Sequence, residues 1–467
     1  MVPFFPKQIA SKAIYLYLGA LVAVKVVFFR YSMQLTYVLM GIAWVVGFFL
    51  LVPLCSRKWK DLPQKEYVTN LALTALGLRV AWVCFSYIFY TIKTGMPFEF
   101  EAADSFAYWD DGAWLSTEKW PVIRDYLFTS RDTVSDSGYL LYLAFLYKII
   151  GPNIFVTRLI KTLWSTATVL LIYNVGRRNI GEEGGRLAGI MACFMPNLIV
   201  YCGLHLKETE MLFLMMLFLE RADYLIRTRN YTVLTIAAPL LPAVILFAFR
   251  TVLGVAAVFS FVTALVFTTA DTIGRRKRFW LIAWLLLAMG MLVGGTITSE
   301  VESTWEVRNE NLTNKRTEQT LRGNQWAKYA TGTVMAPMMF VLPFPTMVDV
   351  DHQYNQQVLS GGNYVRNFLG IFVLIAVFSA IFVTKNWRDL SLLGSFVVAY
   401  LGIVSTSGFS NSERFLLPGL PVLLIMAAYG VTLLNAKNYR WVRYWYWVVP
   451  LMAFGWAFFK LGSRGLF

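Results

Sequence analysis

Long apolar runs recur along the whole chain, separated by short polar connections. Most of these runs are long enough for a helix to cross the roughly 30 Å hydrocarbon core of a bilayer. The thirteen runs lie near residues 13–29, 34–54, 67–93, 153–175, 186–203, 210–226, 231–249, 252–270, 279–297, 366–384, 389–407, 415–434 and 444–460. This pattern predicts an all-α polytopic membrane protein with about 11–13 transmembrane helices.

No separate soluble domain interrupts the pattern, so we expect one membrane-embedded unit over residues 1–467. Its expected parts are N-terminal helices (1–93), a first outward loop (94–152), a helical core (153–297), a large outward loop (298–365) and C-terminal helices (366–467).

Basic residues occur at every second connection, and this alternation predicts the sidedness of the chain. The clusters are Arg57/Lys58/Lys60/Lys65, Arg177/Arg178/Arg186, Arg227/Arg229, Arg275/Arg276/Lys277/Arg278, Lys385/Arg388 and Lys437/Arg440/Arg443. Short loops rich in Lys and Arg remain in the cytoplasm. The N-terminus is therefore expected in the cytoplasm, and the alternate loops outside. The basic tail from Lys460 would then lie outside, against the rule. The short loops favour a multi-pass protein of the cell inner (plasma) membrane.

Composition narrows the function classes. Only 15% of the residues are charged, against about 25% in typical soluble proteins. The formal charge is +15, but the basic residues lie in short loops between apolar runs, so the expected surroundings are membrane lipids and no nucleic acid partner is indicated. Two histidines and four cysteines without a CxxC pair argue against a metal site built from those residues. No Walker A pattern is present, which argues against an ATP-driven pump.

The first outward loop is rich in acidic and aromatic side chains. Asp104 and Tyr108 are one helical turn apart, so they would share a face if this stretch is a short helix on the membrane surface. One interpretation is that such acids are solvated and the rings anchor the loop at the interface. The other is a sugar-handling site, in which a carboxylate takes a proton from a hydroxyl and rings stack on the sugar.

Further charged residues occur at the outward ends of the runs. They are Asp136 before an amphipathic segment too short to span, Arg158 after Gly151-Pro152, Lys207 and Glu208 in a tight turn, Arg250 between two runs, and Arg414. A charge near the interior of a membrane bundle suggests function, and Arg suits bidentate phosphate binding. Alternatively, Arg158 extends from a helix end toward the interface, and Lys207 pairs with Glu208 or Glu210.

In this order the segments resemble the type C glycosyltransferase (GT-C) superfamily, with the protein mannosyltransferases and aminoarabinose transferases as the nearest kind. The matching motifs are Asp104 with Tyr108, then Tyr139, Tyr142, Lys148 and Gly151, the pair Arg158-Leu159, Pro196 leading to Glu208, Arg250, and Arg414-Phe415-Leu416-Leu417-Pro418-Gly419-Leu420-Pro421. Two helices more than usual precede the acidic loop in this chain.

The resemblance implies a GT-C-like bundle with outward juxtamembrane loops and a sugar donor linked to polyprenyl phosphate. The acceptor would be a glycan, a lipid or a protein, met on the extracytoplasmic face. Asp104 would be the general base of an inverting transfer. The other expected substrate-binding residues are Tyr108, Asp136, Arg158, Lys207, Glu208, Arg250 and Arg414. No cofactor is certain, but Asp104 and Glu208 could hold a divalent cation.

Two alternatives stay open. A polysaccharide polymerase or ligase would use the loop 298–365, whose apolar segment MAPMMFVLPFPTMV we expect to be re-entrant or to lie on the surface, and which also carries His352. A transporter or lipid flippase would show internal repeats and charges deep in the spans. The sequence shows no repeat, which argues against the transporter.

Overall fold

The computed structural model describes residues 4–127, 135–228, 232–267, 344–349, 353–406 and 413–462. Within these ranges the regular elements are helices, with one isolated antiparallel bridge between Ser32 and Val348. Six helical stretches are long and apolar enough to cross a membrane. The predicted class, an all-α polytopic membrane protein, is thereby confirmed.

The helices are numbered here in chain order. They are α1 (Lys7–Val27), α2 (Leu35–Lys58), α3 (Gln64–Thr94), α4 (Ala103–Thr117), α5 (Trp120–Asp125), α6 (Ser137–Ile150), α7 (Ile154–Phe194), α8 (Pro196–Cys202), α9 (Glu208–Arg227), α10 (Val233–Phe249), α11 (Thr251–Phe267), α12 (Tyr354–Val358), α13 (Ser360–Phe378), α14 (Ser391–Thr406), α15 (Glu413–Leu416), α16 (Leu420–Thr432) and α17 (Tyr439–Gly462).

Apart from the run 279–297, each predicted apolar run has a helix in the described chain. That run, His352 and most of the loop 298–365, including much of its apolar segment, lie outside the described residues. The end of that loop is helical, because α12 covers Tyr354–Val358 and α13 already begins at Ser360.

Helix α7 folds back on itself and contains the run predicted at 153–175 and the first part of the run predicted at 186–203. The turn is at Gly181, whose backbone has φ 86° and ψ 168°, a region that only glycine adopts readily. Small residues line the contact between the two halves, since a Cβ on Gly176 would lie 3.1 Å from the Cα of Gly185. Such small residues let membrane helices approach closely. Pro196 then ends this pair and begins α8.

In the described chain, connections that carry the predicted cytoplasmic charges meet at one end of the bundle, here called the basic end. There, Arg186 Nη1 donates to carbonyl oxygens of Trp59, Lys60 and Leu62 in the connection between α2 and α3. Arg178 pairs with Glu220 at 2.6 Å near the end of α9. The alternating charge pattern therefore agrees with the folding of the described chain.

The opposite end, here called the site end, carries α4, α5 and α6. Helix α6 has the 14 residues expected of the short segment, and it packs on α4 where Gly112 meets Leu143 and Tyr147. Asn153 begins α7 by accepting a hydrogen bond from the backbone N–H of Val156 at 3.1 Å. The α8–α9 turn and the end of α10 also lie here.

Two buried charges have structural partners. Arg79 in α3 donates to Ser165 Oγ at 2.6 Å and to the carbonyl of Ala75 at 3.1 Å, which supports a structural role. Lys460 near the end of α17 is only 8% exposed and donates to Thr346 at 2.6 Å. This contact places the Lys460 ammonium inside the protein at the site end of the bundle.

Candidate active site

Asp104 lies in the first turn of α4, at the site end of the bundle. Its side chain is 59% exposed, and a carboxylate in this position is favoured by the partial positive charge of the helix N-terminus. The hydroxyl of Ser105, the next residue, donates to Glu99 Oε1. This contact joins the start of α4 to the segment that precedes it.

Tyr108 follows one turn later and is buried. Its ring meets the ring of Tyr139 edge-on, with 5.0 Å between the centroids. Burial raises the pKa of Tyr108 to about 12, so its hydroxyl stays protonated at neutral pH. Tyr108 is therefore a hydrogen-bond donor beside the acid and not a second base.

Arg414 brings the acid of α4 together with the acid of α9. Its Nη1 contacts Asp104 Oδ2, and its Nε contacts Glu208 Oε1. Glu208 is the first residue of α9 and is fully buried. One guanidinium thus joins two carboxylates that are far apart in the sequence, and a planar fork of donors suits this arrangement.

Arg250 lies on the other side of Glu208, in extended backbone between α10 and α11. Its Nη2 is 3.6 Å from Glu208 Oε1, and its guanidinium lies 4.6 Å from the centroid of the Phe415 ring. Among the described residues, Arg250 Nη1 has no hydrogen-bond partner although it is buried. A buried donor in this state is suited to an anionic ligand.

Lys207 ends the α8–α9 turn. Its Nζ donates to the carbonyl oxygen of Phe249 at 2.8 Å and pairs with the carboxylate of Asp136. Asp136 is the residue before α6 and has a left-handed backbone with φ 74°, which aspartate tolerates better than most residues. The alternative in which Lys207 pairs with Glu208 or Glu210 is wrong, because the Lys207 side chain turns back toward α6 and α10.

Glu210 pairs instead with Lys161 of α7, at 3.5 Å. Lys161 also donates to the carbonyl oxygens of Leu204, at 2.9 Å, and Leu206. In the same turn His205 Nε2 lies 2.9 Å from the hydroxyl of Tyr147. These contacts hold the turn that presents Lys207 and Glu208.

Arg158 is near this cluster but not part of it. Its side chain is fully buried, so the interpretation of an arginine reaching toward the interface is wrong. No nitrogen of its guanidinium has a hydrogen-bond partner among the described residues. Glu99, which is also buried and bonded to Ser105, interacts with it electrostatically. Arg158 therefore lies behind the segment that leads to Asp104.

Glu413 is a site residue that the sequence reasoning missed. It pairs with Arg366 Nη1 of α13 at 3.0 Å, and it accepts a hydrogen bond from Asn197 Nδ2 of α8 at 2.6 Å. Asn197 also donates to Asn363 Oδ1 at 3.1 Å. The available signal was its position directly before Arg414.

A cavity of about 310 Å³ opens beside Asp104 and Arg414. It lies between the segment before α4, helix α8 with its following turn, helix α12, and helix α15. Its polar lining residues include Glu99, Glu101, Asp104, Gln353, Asn355, Gln356, Glu413 and Arg414, and its aromatic ones are Tyr90, Phe100 and Tyr201. The volume is at the small end of the range for ligand pockets.

The positions of Asp104 and Glu208 test whether the two carboxylates could hold the divalent cation considered from the sequence. Both carboxylates contact Arg414, so a guanidinium is located where a shared cation would be. In the described part of the chain, no group of three or more His, Cys, Asp or Glu side chains converges to hold a metal ion. A hard cation in proteins normally draws on several oxygen ligands, and this donor set does not fit one.

Comparison with known proteins gives a family match for part of the chain. Residues 138–228 match the model of the family described as dolichyl-phosphate-mannose-protein mannosyltransferase, which belongs to the GT-C superfamily. The matched part runs from the start of α6 to the end of α9 and contains Arg158, Lys207 and Glu208. A search of the curated proteins finds no significant match. The resemblance inferred from the sequence is confirmed, and the match supports a membrane glycosyltransferase of the GT-C type.

Proposed function

We propose that the protein transfers a sugar from a polyprenyl-phosphate-linked donor to a hydroxyl group of a glycan, lipid or protein acceptor, with Asp104 as the general base. The observation that carries the proposal is the convergence at one end of the bundle of an exposed carboxylate with the cations of Arg414, Arg250 and Lys207. Such a transfer needs a base for the acceptor and positive charge for the phosphate that leaves.

The proposed reaction is a single displacement. The acceptor oxygen forms a bond to the anomeric carbon while the bond from that carbon to the phosphate oxygen breaks. The bonding electron pair goes to the lipid phosphate, and the hydroxyl proton goes to Asp104. One displacement inverts the configuration at the anomeric carbon. The donor is already activated as a phosphate ester, so no nucleotide is required.

The cations have distinct proposed roles. Arg250 has an unpaired buried donor, which suits a phosphate oxygen. Arg414 contacts Asp104 before the donor arrives, so an approaching phosphate competes for that guanidinium and releases the carboxylate for the acceptor. Glu208 holds both arginines in position. Tyr108 is proposed to donate its hydroxyl hydrogen near the same acid, and Asp136 to hold Lys207.

Arg158 is proposed to support the donor site from behind, through its electrostatic interaction with Glu99.

The proposal also places the site on the extracytoplasmic face of the cell inner membrane, with the N-terminus in the cytoplasm. The separation of the basic end from the site end supports this orientation. The donor sugar is expected at the cavity beside Asp104.

The test is sugar transfer in membranes from radiolabelled polyprenyl phosphates carrying mannose, glucose or arabinose. Asp104→Asn keeps the size of the side chain but removes the base, and we expect transfer to fall by on the order of 10²–10⁴-fold. Asp110→Asn, an exposed acid on the same helix, is the matched control and should transfer like the wild type. Full activity of Asp104→Asn at equal protein level would exclude Asp104 as the base.

A further inference from the structure

The cavity beside Asp104 has a polar wall formed by three amide side chains. Gln353, Asn355 and Gln356 lie at the start of α12 and line the cavity. An amide side chain has both a donor and an acceptor end. Which end faces a ligand depends on the bonds that the other end makes inside the protein.

Lys460 determines the orientation of two of these amides. Its Nζ donates to Gln353 Oε1 and to Gln356 Oε1, both at 2.8 Å. An ammonium group can only donate hydrogen bonds, so each glutamine must turn its oxygen toward Lys460. The NH₂ group of each amide is therefore directed away from Lys460.

Asn355 is oriented in the opposite sense. Its Nδ2 donates to the carbonyl oxygen of Phe100, in the segment just before α4. Its Oδ1 is buried and has no hydrogen-bond partner among the described residues. A buried acceptor without a partner is unfavourable unless a ligand or water satisfies it. The wall thus combines two donor groups with one unsatisfied acceptor.

We propose that this wall recognises the hydroxyl groups of the transferred sugar in the lipid-linked donor, and that Lys460 is a positioning residue for it. Sugar hydroxyls both donate and accept hydrogen bonds, so they match a wall with both kinds of group. The cavity of about 310 Å³ has space for a single small ligand, and Tyr90, Phe100 and Tyr201 supply apolar surfaces for a sugar ring. This inference rests on the proposed function, because it specifies the donor subsite.

The arrangement also explains why a charge near the end of α17 is retained inside the protein. Lys460 is remote in sequence from α4 and touches neither Asp104 nor Arg414 in the described structure. It contacts two residues of the cavity lining, Gln353 and Gln356. A change at Lys460 should therefore alter sugar recognition without altering the proposed base or the phosphate-binding cations.

The most direct variants are Gln353→Glu and Gln356→Glu. Each keeps the shape of the side chain and an oxygen facing Lys460, while the NH₂ donor becomes an oxygen. The contact with Lys460 becomes an ion pair, so a change in sugar binding would not result from the loss of a contact that stabilises the fold.

A second set of variants tests Lys460 itself. Lys460→Met removes the orienting ammonium, and Lys460→Arg retains a donor. Lys93→Met is the control, at an exposed lysine at the end of α3.

Binding is measured first, in lipid nanodiscs, with polyprenyl phosphates carrying mannose, glucose or arabinose and with polyprenyl phosphate alone. We expect the wild type and Lys93→Met to prefer one of the sugar-bearing lipids by about tenfold, and Lys460→Met to lose that preference while still binding polyprenyl phosphate. Lys460→Arg should recover part of it. The proposal would be contradicted if the wild type bound all of these lipids equally well. It would also be contradicted if Lys460→Met kept the same preference for the sugar-bearing lipid as Lys93→Met.

The second measurement uses donors of the preferred sugar that lack one hydroxyl each. For the hydroxyl that accepts from a glutamine NH₂, the wild type should bind the deoxy donor about tenfold more weakly. The corresponding Glu variant can only accept from that hydroxyl, so its discrimination should differ from the wild-type factor by about threefold or more. Equal discrimination by wild type and both variants would overturn the proposal. If the protein preferred the sugar-bearing lipid in binding but transferred the sugar to no acceptor, the result would count against the proposed function. The proposal that the amide side chains recognise the sugar would still be supported.

Discussion

Arg414 and Asp104, 310 residues apart in the chain, form an ion pair at the rim of the cavity. The same guanidinium contacts Glu208 through its other side. The pairing links α15, α4 and α9 in one charge network at the site end. Because Glu208 is fully buried while Asp104 is largely exposed, the two contacts should contribute differently to stability and to activity.

Arg414→Gln is expected to destabilise the protein as well as inactivate it. It leaves the buried carboxylate of Glu208 with Arg250, whose Nη2 is 3.6 Å away, as its remaining ion-pair partner among the described residues. Removing one partner of a buried pair costs about 3 kcal/mol or more. The measurement is the apparent Tm in detergent together with transfer activity. The double variant Arg414→Gln, Glu208→Gln should recover most of the stability but no activity. A single variant as stable as the wild type would show that the pair is not needed for folding.

Arg250→Gln is expected to affect donor binding more than turnover. The unpaired Nη1 of Arg250 is the buried donor proposed for the phosphate, and loss of one charge-assisted hydrogen bond corresponds to about a tenfold rise in KM for the lipid donor. Inhibition by free polyprenyl phosphate should weaken in parallel. Arg221→Gln, at an arginine paired with Glu220 at the basic end, is the control. An unchanged donor KM would remove Arg250 from the phosphate site.

Gly138→Val is expected to disturb the site through packing alone. A Cβ at Gly138 would lie 2.8 Å from Cδ2 of Phe249 and 2.9 Å from Cβ of Ala248, so α6 must move away from the end of α10. That movement separates Asp136 from Lys207, which also bonds to the carbonyl of Phe249. Overpacking of this kind costs about 1–3 kcal/mol, and transfer should fall at least tenfold. Gly77→Val, at a helical glycine with open space around it, should have little effect on transfer.

The helices were predictable from the sequence, and the charge pairs were not. Apolar length and the alternation of basic loops depend on neighbouring residues, so they indicated the spans, the short α6 and the common location of Asp104, Glu208 and Arg414. The partners of Lys207 depend on how α6, α9 and α10 pack, and proximity in sequence suggested Glu208 or Glu210 instead of Asp136. The roles of Glu413 and Lys460 likewise depend on contacts with residues more than a hundred positions away or in other helices.

Stability should fall in mild acid because of His205, in the turn between α8 and α9. Burial, together with the positive charges of Lys161 and Arg158, holds the pKa of His205 well below its usual value of 6.5. The folded protein therefore keeps the ring neutral, while the unfolded chain takes up a proton below about pH 6.5. Stability is unaffected by this group above that pH and decreases by up to about 1.4 kcal/mol for each pH unit below it.

The measurement is the apparent Tm in detergent between pH 7.5 and 5.0, for the wild type and His205→Gln. Glutamine stays neutral throughout and can still bond to the hydroxyl of Tyr147, which lies 2.9 Å from Nε2 of His205. The variant should lose less stability than the wild type below pH 6.5, and the two curves should run parallel above it. Because His205 lies in the turn that carries Lys207 and Glu208, parallel curves over the whole range would mean that this turn opens and lets the imidazole be protonated at no cost to the fold.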